Sequence, residues 1–258
     1  MKLKFSKYQG TGNDFIMVDN RNGVYPMSQT QINKLCDRRF GIGADGLILL
    51  THCDDADFEM IYHNADGHEG SMCGNGGRCV VAFARDLEVI KHDCSFLAFD
   101  GLHKAQCLDN NLVSLEMIDV DSLKFENNVW VLDTGSPHLV TFKEDIQRII
   151  VKEEGASIRN SPPYVKNGIN VNFVSVKGKE LSVRTYERGV EDETLACGTG
   201  ATASAIAAFE SGMIDCESVK VNVLGGQLEV KFKKNNTAYR DIYLKGPAEF
   251  VFQGEVDV

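Results

Sequence analysis

Two cysteines stand in near-identical settings. Cys73 is followed by Gly74-Asn75-Gly76 and Cys197 by Gly198-Thr199-Gly200, and a helical segment follows each. They lie 124 residues apart in a chain of 258. One C-G-x-G before a helix can be chance; two at half-chain spacing indicate two similar halves, each presenting a thiol at a helix N-terminus. The first N–H groups of a helix have no intrahelical partner, and its dipole favours negative charge there. A thiol that ordinarily ionises near 8.5 is brought toward neutrality, by about 1.5 pKa units at most. Burial opposes that shift. Two thiols in one site cannot both ionise cheaply, so the resting pair is one thiolate and one thiol. Such a pair can take a proton from one face of a carbon and return one to the other. If the halves face each other, the result is inversion of a stereocentre beside a carboxylate. The two helix N-termini would hold the developing charge, with no cofactor and no metal. The pattern points to a two-base amino acid racemase or epimerase.

Other readings of the same residue types fare worse. The remaining cysteines, at 36, 53, 79, 94, 107 and 216, include no C-x-x-C pair, and no His-x-x-x-His occurs. A structural zinc site and a dithiol redox centre are both disfavoured, and most of these thiols are expected to be small buried apolar residues. Gly41-Ile42-Gly43-Ala44-Asp45-Gly46 matches G-x-G-x-x-G, but it follows a helix and leads into a strand. A dinucleotide fingerprint needs the reverse order, so the segment is expected to be a loop. With 37 acidic against 27 basic residues the formal charge is −10, which argues against nucleic acid and anionic membranes as partners. The longest aliphatic run is Leu47-Ile48-Leu49-Leu50, far short of the roughly 20 residues of a membrane helix. The opening MKLKFSKYQG has no apolar stretch of the secretory kind. The chain is read as cytoplasmic. Its 43% apolar content suffices for one large core or two of about 130 residues each.

The elements that must position the cysteines follow from periodicity. Residues 2–9 alternate and 15–19 form an apolar run, with the turn Gly10-Thr11-Gly12-Asn13-Asp14 between them. Ser28 and Gln31 form a capping-box pattern, and Ile32, Leu35, Cys36 and Phe40 predict a helix over 29–40. Strands are expected at 46–52 and 57–63, a helix after Gly77, and short strands to about Ile118. The second half repeats the plan. Strands are expected near 128–133, 169–176 and 181–187, and a helix near 143–153 on Ile146, Ile149 and Ile150. A helix rich in small residues follows Gly198, and strands at 218–224, 227–234, 239–245 and 248–252 close the chain.

At this resolution of reading the chain resembles the diaminopimelate epimerase family nearly end to end. Three segments carry the resemblance: Gly10-Thr11-Gly12-Asn13-Asp14-Phe15; Asn64-Ala65-Asp66-Gly67 with Met72-Cys73-Gly74-Asn75-Gly76-Gly77-Arg78-Cys79; and Tyr186-Glu187-Arg188-Gly189-Val190 with Ala196-Cys197-Gly198-Thr199-Gly200. The resemblance implies cofactor-independent interconversion of LL- and meso-diaminopimelate, a precursor of lysine and peptidoglycan. It implies Cys73 and Cys197 as the catalytic bases, with Glu187 and His138 also in the catalytic group. Gly74, Asn75, Gly198 and Thr199 would hold the reacting carboxylate, and Glu187 the ammonium. Asn13, Asn64, Asn170 and Arg188 would hold the distal amino acid group, for which a planar guanidinium and fixed amides are suitable types.

It also implies an α+β fold of two similar domains, each a curved, mostly antiparallel sheet wrapped around a central helix. The expected division is 1–118 plus 247–258 with Cys73, and 119–246 with Cys197, in a homodimer acting on a small amino acid. Two departures stand out: Ser136 where many members have asparagine, and Gly46 where some have glutamine. A proline or hydroxyproline racemase of the same fold is the alternative. The phenazine-biosynthesis type isomerase lacks the paired cysteines found here.

Overall fold

The computed structural model describes residues 2–70 and 72–258. Two compact units result, Met1–Leu115 with Gly246–Val258, and Glu116–Lys245. The first runs β1 (Lys2–Gly10), β2 (Asn13–Asp19), α1 (Gln29–Cys36), β3 (Gly46–Thr51), β4 (Phe58–Asn64), α2 (Gly74–Asp86), β5 (Asp93–Ala98), β6 (Gly101–Cys107) and β7 (Leu112–Glu116). The second runs β8 (Leu123–Glu126), β9 (Val129–Asp133), β10 (Pro137–Phe142), α3 (Val151–Arg159), β11 (Asn170–Lys177), β12 (Glu180–Glu187), β13 (Asp192–Thr194), α4 (Gly198–Glu210), β14 (Ser218–Val223), β15 (Gly226–Asn235) and β16 (Ala238–Pro247). The last strand, β17 (Glu249–Asp257), pairs with β1.

Each unit builds its sheet by the same rule. In the first the order is β17-β1-β2-β3-β4-β5-β6-β7; β2–β3 and β4–β5 are parallel and the other neighbours antiparallel. In the second it is β8-β9-β10-β11-β12-β14-β15-β16; β10–β11 and β12–β14 are parallel and the rest antiparallel. Short β13 adds antiparallel to the end of β12. Parallel neighbours need a crossover, and helices α1, α2, α3 and α4 lie in the four crossovers. The duplication inferred from two tetrapeptides is therefore a duplication of topology.

The two cysteine-led helices form the cores. Helix α2 packs against β1, β2, β3, β4, β6 and β17, and α4 against β9, β10, β11, β12, β14 and β15. A helix covered on all sides cannot be amphipathic. This is why α4 reads GTGATASAIAAFE, with Ala201, Ala203, Ala205, Ile206, Ala207 and Ala208 buried. Small side chains let the strands close on it.

Local expectations are met in part. Ser28 and Gln31 form the reciprocal capping box, and 41–45 is a loop between α1 and β3, with Gly46 opening the strand. Helix α1, however, stops at Cys36. The Asp37 carboxylate accepts the N–H groups of Arg39 and Phe40, and Phe40 is left 83% exposed rather than in the core. The helix expected over 143–153 is instead a 3-10 turn, Ile146–Arg148, followed by α3. The Arg184 guanidinium takes the carbonyls of Ile146 and Ile149 at 2.8 and 2.9 Å, which a continuous helix would have used itself. No helix among the described residues is long and apolar enough to cross a membrane.

If small residues on α4 set the strand spacing, enlarging one overpacks the core. Ala205→Leu is expected to lower unfolding free energy by about 1–3 kcal/mol, measured by urea denaturation.

Candidate active site

Cys73 and Cys197 are the N-cap residues of α2 and α4. Their backbones are nearly superposable in angle, φ −106°, ψ 120° and φ −124°, ψ 110°, and neither thiol caps its own helix. The first helical bonds run from Gly77 N–H to the Cys73 carbonyl at 2.7 Å and from Ala201 N–H to the Cys197 carbonyl at 2.8 Å. The N–H groups of residues 74–76 and 198–200 thus precede the helical ladder and supply the positive end of each dipole. Cys73 is partly exposed and Cys197 is 8% exposed. Burial raises four other thiols. It pushes Cys36 up to about 11 and Cys94 to about 12, and Cys107 upward. Cys79 also rises to about 12, although Arg78 acts against that. Those four remain thiols.

In the first unit, Asn13 is brought to Cys73. Its Oδ1 accepts from the Cys73 thiol at 3.7 Å and from Asn75 Nδ2 at 3.3 Å. Its Nδ2 donates to Asp45 at 2.5 Å. Asp45 belongs to a charged network in which Arg38 binds both Asp45 and Asp14, and Lys7 binds Asp14 at 2.8 Å. Burial works to raise the Asp14 carboxyl, but Arg38 and Lys7 outweigh it and hold it at about 2. Asn13 is therefore oriented by fixed charges. Asn64 ends β4 and is exposed, its Nδ2 beside Gly70. Gly46 explains one departure from the family pattern: a Cβ there would lie 2.5 Å from the Tyr62 ring and from the His63 carbonyl. Tyr62 occupies the room that a side chain at 46 would need.

In the second unit, a chain of hydrogen bonds leads to Cys197. Asn172 donates from Nδ2 to the Leu139 carbonyl and to His138 Nδ1, both at 3.0 Å, and accepts from Thr185 on Oδ1 at 2.9 Å. The Leu139 carbonyl can only accept, which assigns the amide orientation. His138 Nδ1 is then an acceptor and Nε2 carries the proton. His138 is fully buried. Burial, and then the charge of Arg188, push its pKa down to about 3 against the Asn172 bond, so the ring is neutral. Nε2 donates to Thr199 Oγ1 at 2.9 Å, and Thr199 Oγ1 lies 3.4 Å from the Cys197 sulfur. Having accepted from His138, the Thr199 hydroxyl keeps its proton and a second lone pair, so it can donate to a Cys197 thiolate or accept from a Cys197 thiol. Thr134 holds the Thr199 carbonyl at 2.9 Å.

Asn170 and Arg188 are also joined. The Arg188 N–H donates to Asn170 Oδ1 at 2.8 Å, and Asn170 Nδ2 donates to Ser136 Oγ at 2.8 Å. Ser136, the second departure, thus completes the seating of Asn170, which is 3% exposed. The exposed Arg188 side chain gives one bond to the Asn167 carbonyl. Glu187 ends β12 opposite Asp192.

Residues that sequence reasoning passed over are Asp45, Thr134, Asn172 and Thr185. A signal existed for Asn172: it lies two residues after Asn170 on a strand, hence on the same face.

Comparison with known proteins adds a second line of observation. A family model described as diaminopimelate epimerase matches residues 5–121 and 130–251. The chain is 53% identical to the diaminopimelate epimerase of Flavobacterium psychrophilum, over 97% of this chain and 99% of that one. It is 42% identical to that of Chlorobaculum tepidum, over 96% and 98%. Among solved structures, a PhzF-family phenazine biosynthesis protein of Bacillus anthracis aligns with a TM-score of 0.78 at 13% identity over the full length of both chains. A hydroxyproline epimerase from Agrobacterium vitis aligns with a TM-score of 0.70 at 14% identity, covering 99% and 92%. At such identities the likeness is one of fold.

Two outcomes are expected from the hydrogen-bond chain. Thr199→Val removes the hydroxyl that can donate to a Cys197 thiolate and should slow its alkylation at pH 7 by about tenfold, from the loss of one hydrogen bond to a charged group, read by mass spectrometry of the labelled peptide. Separately, the folded state keeps His138 unprotonated down to about pH 3, whereas an unfolded histidine takes up a proton near 6.5. Between these values the unfolded state binds more protons, so stability falls as pH drops through the window. His138→Gln should flatten that dependence in urea titrations at stepped pH.

Proposed function

The chain belongs to the diaminopimelate epimerase family, and we propose that it interconverts LL- and meso-diaminopimelate with Cys73 and Cys197 as the acid–base pair. The observation that carries this reading is the repeated one: a thiol at the N-cap of a buried helix, not engaged in capping, beside N–H groups that precede the helical ladder. One sulfur, as thiolate, removes the α-proton. The other, as thiol, delivers a proton to the opposite face, and the roles exchange in the reverse direction. The carbanion delocalises into its carboxylate. N–H groups at Gly74, Asn75, Gly198 and Thr199 stabilise that charge as preorganised donors.

His138 acts on Cys197 through Thr199 and is a positioning residue, its tautomer set by Asn172. Glu187 takes the ammonium at the reacting centre. Arg188, Asn64 and Asn13 take the distal amino acid group, with Asn170 holding the Arg188 backbone in place. We take 1–118 with 247–258 and 119–246 as the two domains, one cysteine in each, and a homodimer in the cytoplasm as the working form.

Incubation with LL-diaminopimelate in D2O is expected to place deuterium at one α-carbon, seen by mass spectrometry. Cys73→Ala and Cys197→Ala should each reduce epimerisation by about 10³-fold or more. Absence of deuterium, or full turnover by either variant, contradicts the two-thiol reaction.

A further inference from the structure

Arg78 is the bulkiest side chain of the described residues with no exposed surface. It stands on α2, five residues beyond Cys73. Its guanidinium donates to Asn75 Oδ1 at 2.9 Å, Thr11 Oγ1 at 3.3 Å, the Gly74 carbonyl at 3.3 Å and the Pro247 carbonyl at 3.4 Å. All four acceptors are neutral. A buried cation normally keeps a counter-charge, because leaving it uncompensated is costly, and an arginine cannot escape by losing its proton. The sulfurs of Cys79 and Cys73 favour its charge against burial. Cys79 stays a thiol up to about 12, and Cys73 is joined to the guanidinium through Asn13 and Asn75.

The same guanidinium fastens the parts around that sulfur. Asn75 donates to Asn13, which receives the Cys73 thiol. Thr11 sits at φ +53°, a conformation a β-branched residue adopts only when its surroundings insist; its hydroxyl accepts from Arg78 and donates to the Gly10 carbonyl at 2.7 Å. A Cβ at Gly10 would lie 3.3 Å from Arg78 Nη2 and 3.2 Å from the Cys79 sulfur, so the turn closes directly onto the guanidinium. Other charged groups facing this turn are already engaged. Asp14 is held by Lys7 and Arg38, Glu249 accepts from Gln9, and Asp86, farther along α2, binds Tyr8 and Arg85.

We infer that Arg78 is a positioning residue for Cys73: its buried charge favours ionisation of that sulfur, which in the protonated form donates to Asn13, and its four hydrogen bonds hold the Thr11 turn and Asn75 around it. The inference rests on the proposed role of Cys73, but its test does not need turnover. Iodoacetamide alkylation of Cys73 and of Cys197 is followed against pH by mass spectrometry in the wild-type chain, R78Q and R78K. In R78Q the Cys73 rate at pH 7 should fall by about tenfold while the Cys197 rate holds. R78K, which keeps the charge and loses the planar fork, should recover most of the Cys73 rate at a lower melting temperature.

A Cys73 rate within twofold of wild type in folded R78Q overturns the inference, as does equal slowing of both cysteines. If R78Q does not fold, the other two chains decide. A wild-type Cys73 profile with its midpoint at or above the ordinary thiol value of about 8.5 overturns it; a midpoint below that value, retained in R78K, supports it. Deuterium exchange run alongside reports the proposed reaction separately.

Discussion

A helix that begins immediately after a cysteine, and is buried over most of its length, is the constraint from which the rest of each unit follows. Burial of most of the first turn limits its contact with water, so the N–H groups there keep much of their electrostatic force. The same burial forbids large side chains at the start. Helix α2 opens with Gly74, Asn75, Gly76 and Gly77, although each interior glycine costs a helix about 1 kcal/mol relative to alanine. Propensity therefore does not hold α2 together; the six strands packed on it do. The repeated ladder, with parallel pairs at corresponding places, is one way to surround such a helix and still leave its N-terminus at a sheet end.

Much of this was readable in the residues because the features concerned are local. The thiol-glycine tetrapeptides, the Ser28 capping box and the alternation in 58–63 each report on neighbours in sequence. What escaped is non-local. Ile146 and Ile149 have helical spacing, but Arg184, on β12, captures their carbonyls, and nothing near residue 146 announces that. Phe40 continued the α1 stripe only on paper, because Asp37 spends its carboxylate on two N–H groups and turns the chain away. The three-residue strand β13 exists because β12 offers an edge at Thr185–Glu187; its own sequence, Asp192-Glu193-Thr194, has no strand character.

Legibility of the site divides along the same line. Cys73, Asn75, Cys197 and Thr199 could be named because the motif contains them and the chemistry of a helix N-terminus explains them. His138 and Asn170 were reachable by resemblance, and the register pairing His138 with Asn170 on neighbouring parallel strands gives the physical reason they lie side by side. Thr185 carried no signal in the sequence, and Asn172 only its spacing from Asn170. A polar residue on an amphipathic strand is ordinarily on the wet face, and only the position of α4 makes this face dry. Arg78 shows the difficulty at its sharpest: an arginine on a helix is expected to reach water, and its complete burial is a fact of topology.

The two thiols lie under different local controls within their own units. Beside Cys73 stands a permanent cation that pH cannot remove. Beside Cys197 stands a neutral relay, Asn172 to His138 to Thr199, whose influence is that of an oriented hydroxyl dipole. A full charge acts on an anion over a longer distance and with less dependence on angle than a hydroxyl does. The surroundings of Cys73 are thus set by a charge and those of Cys197 by the angle of one hydroxyl, so a small displacement of neighbouring groups alters the second more than the first.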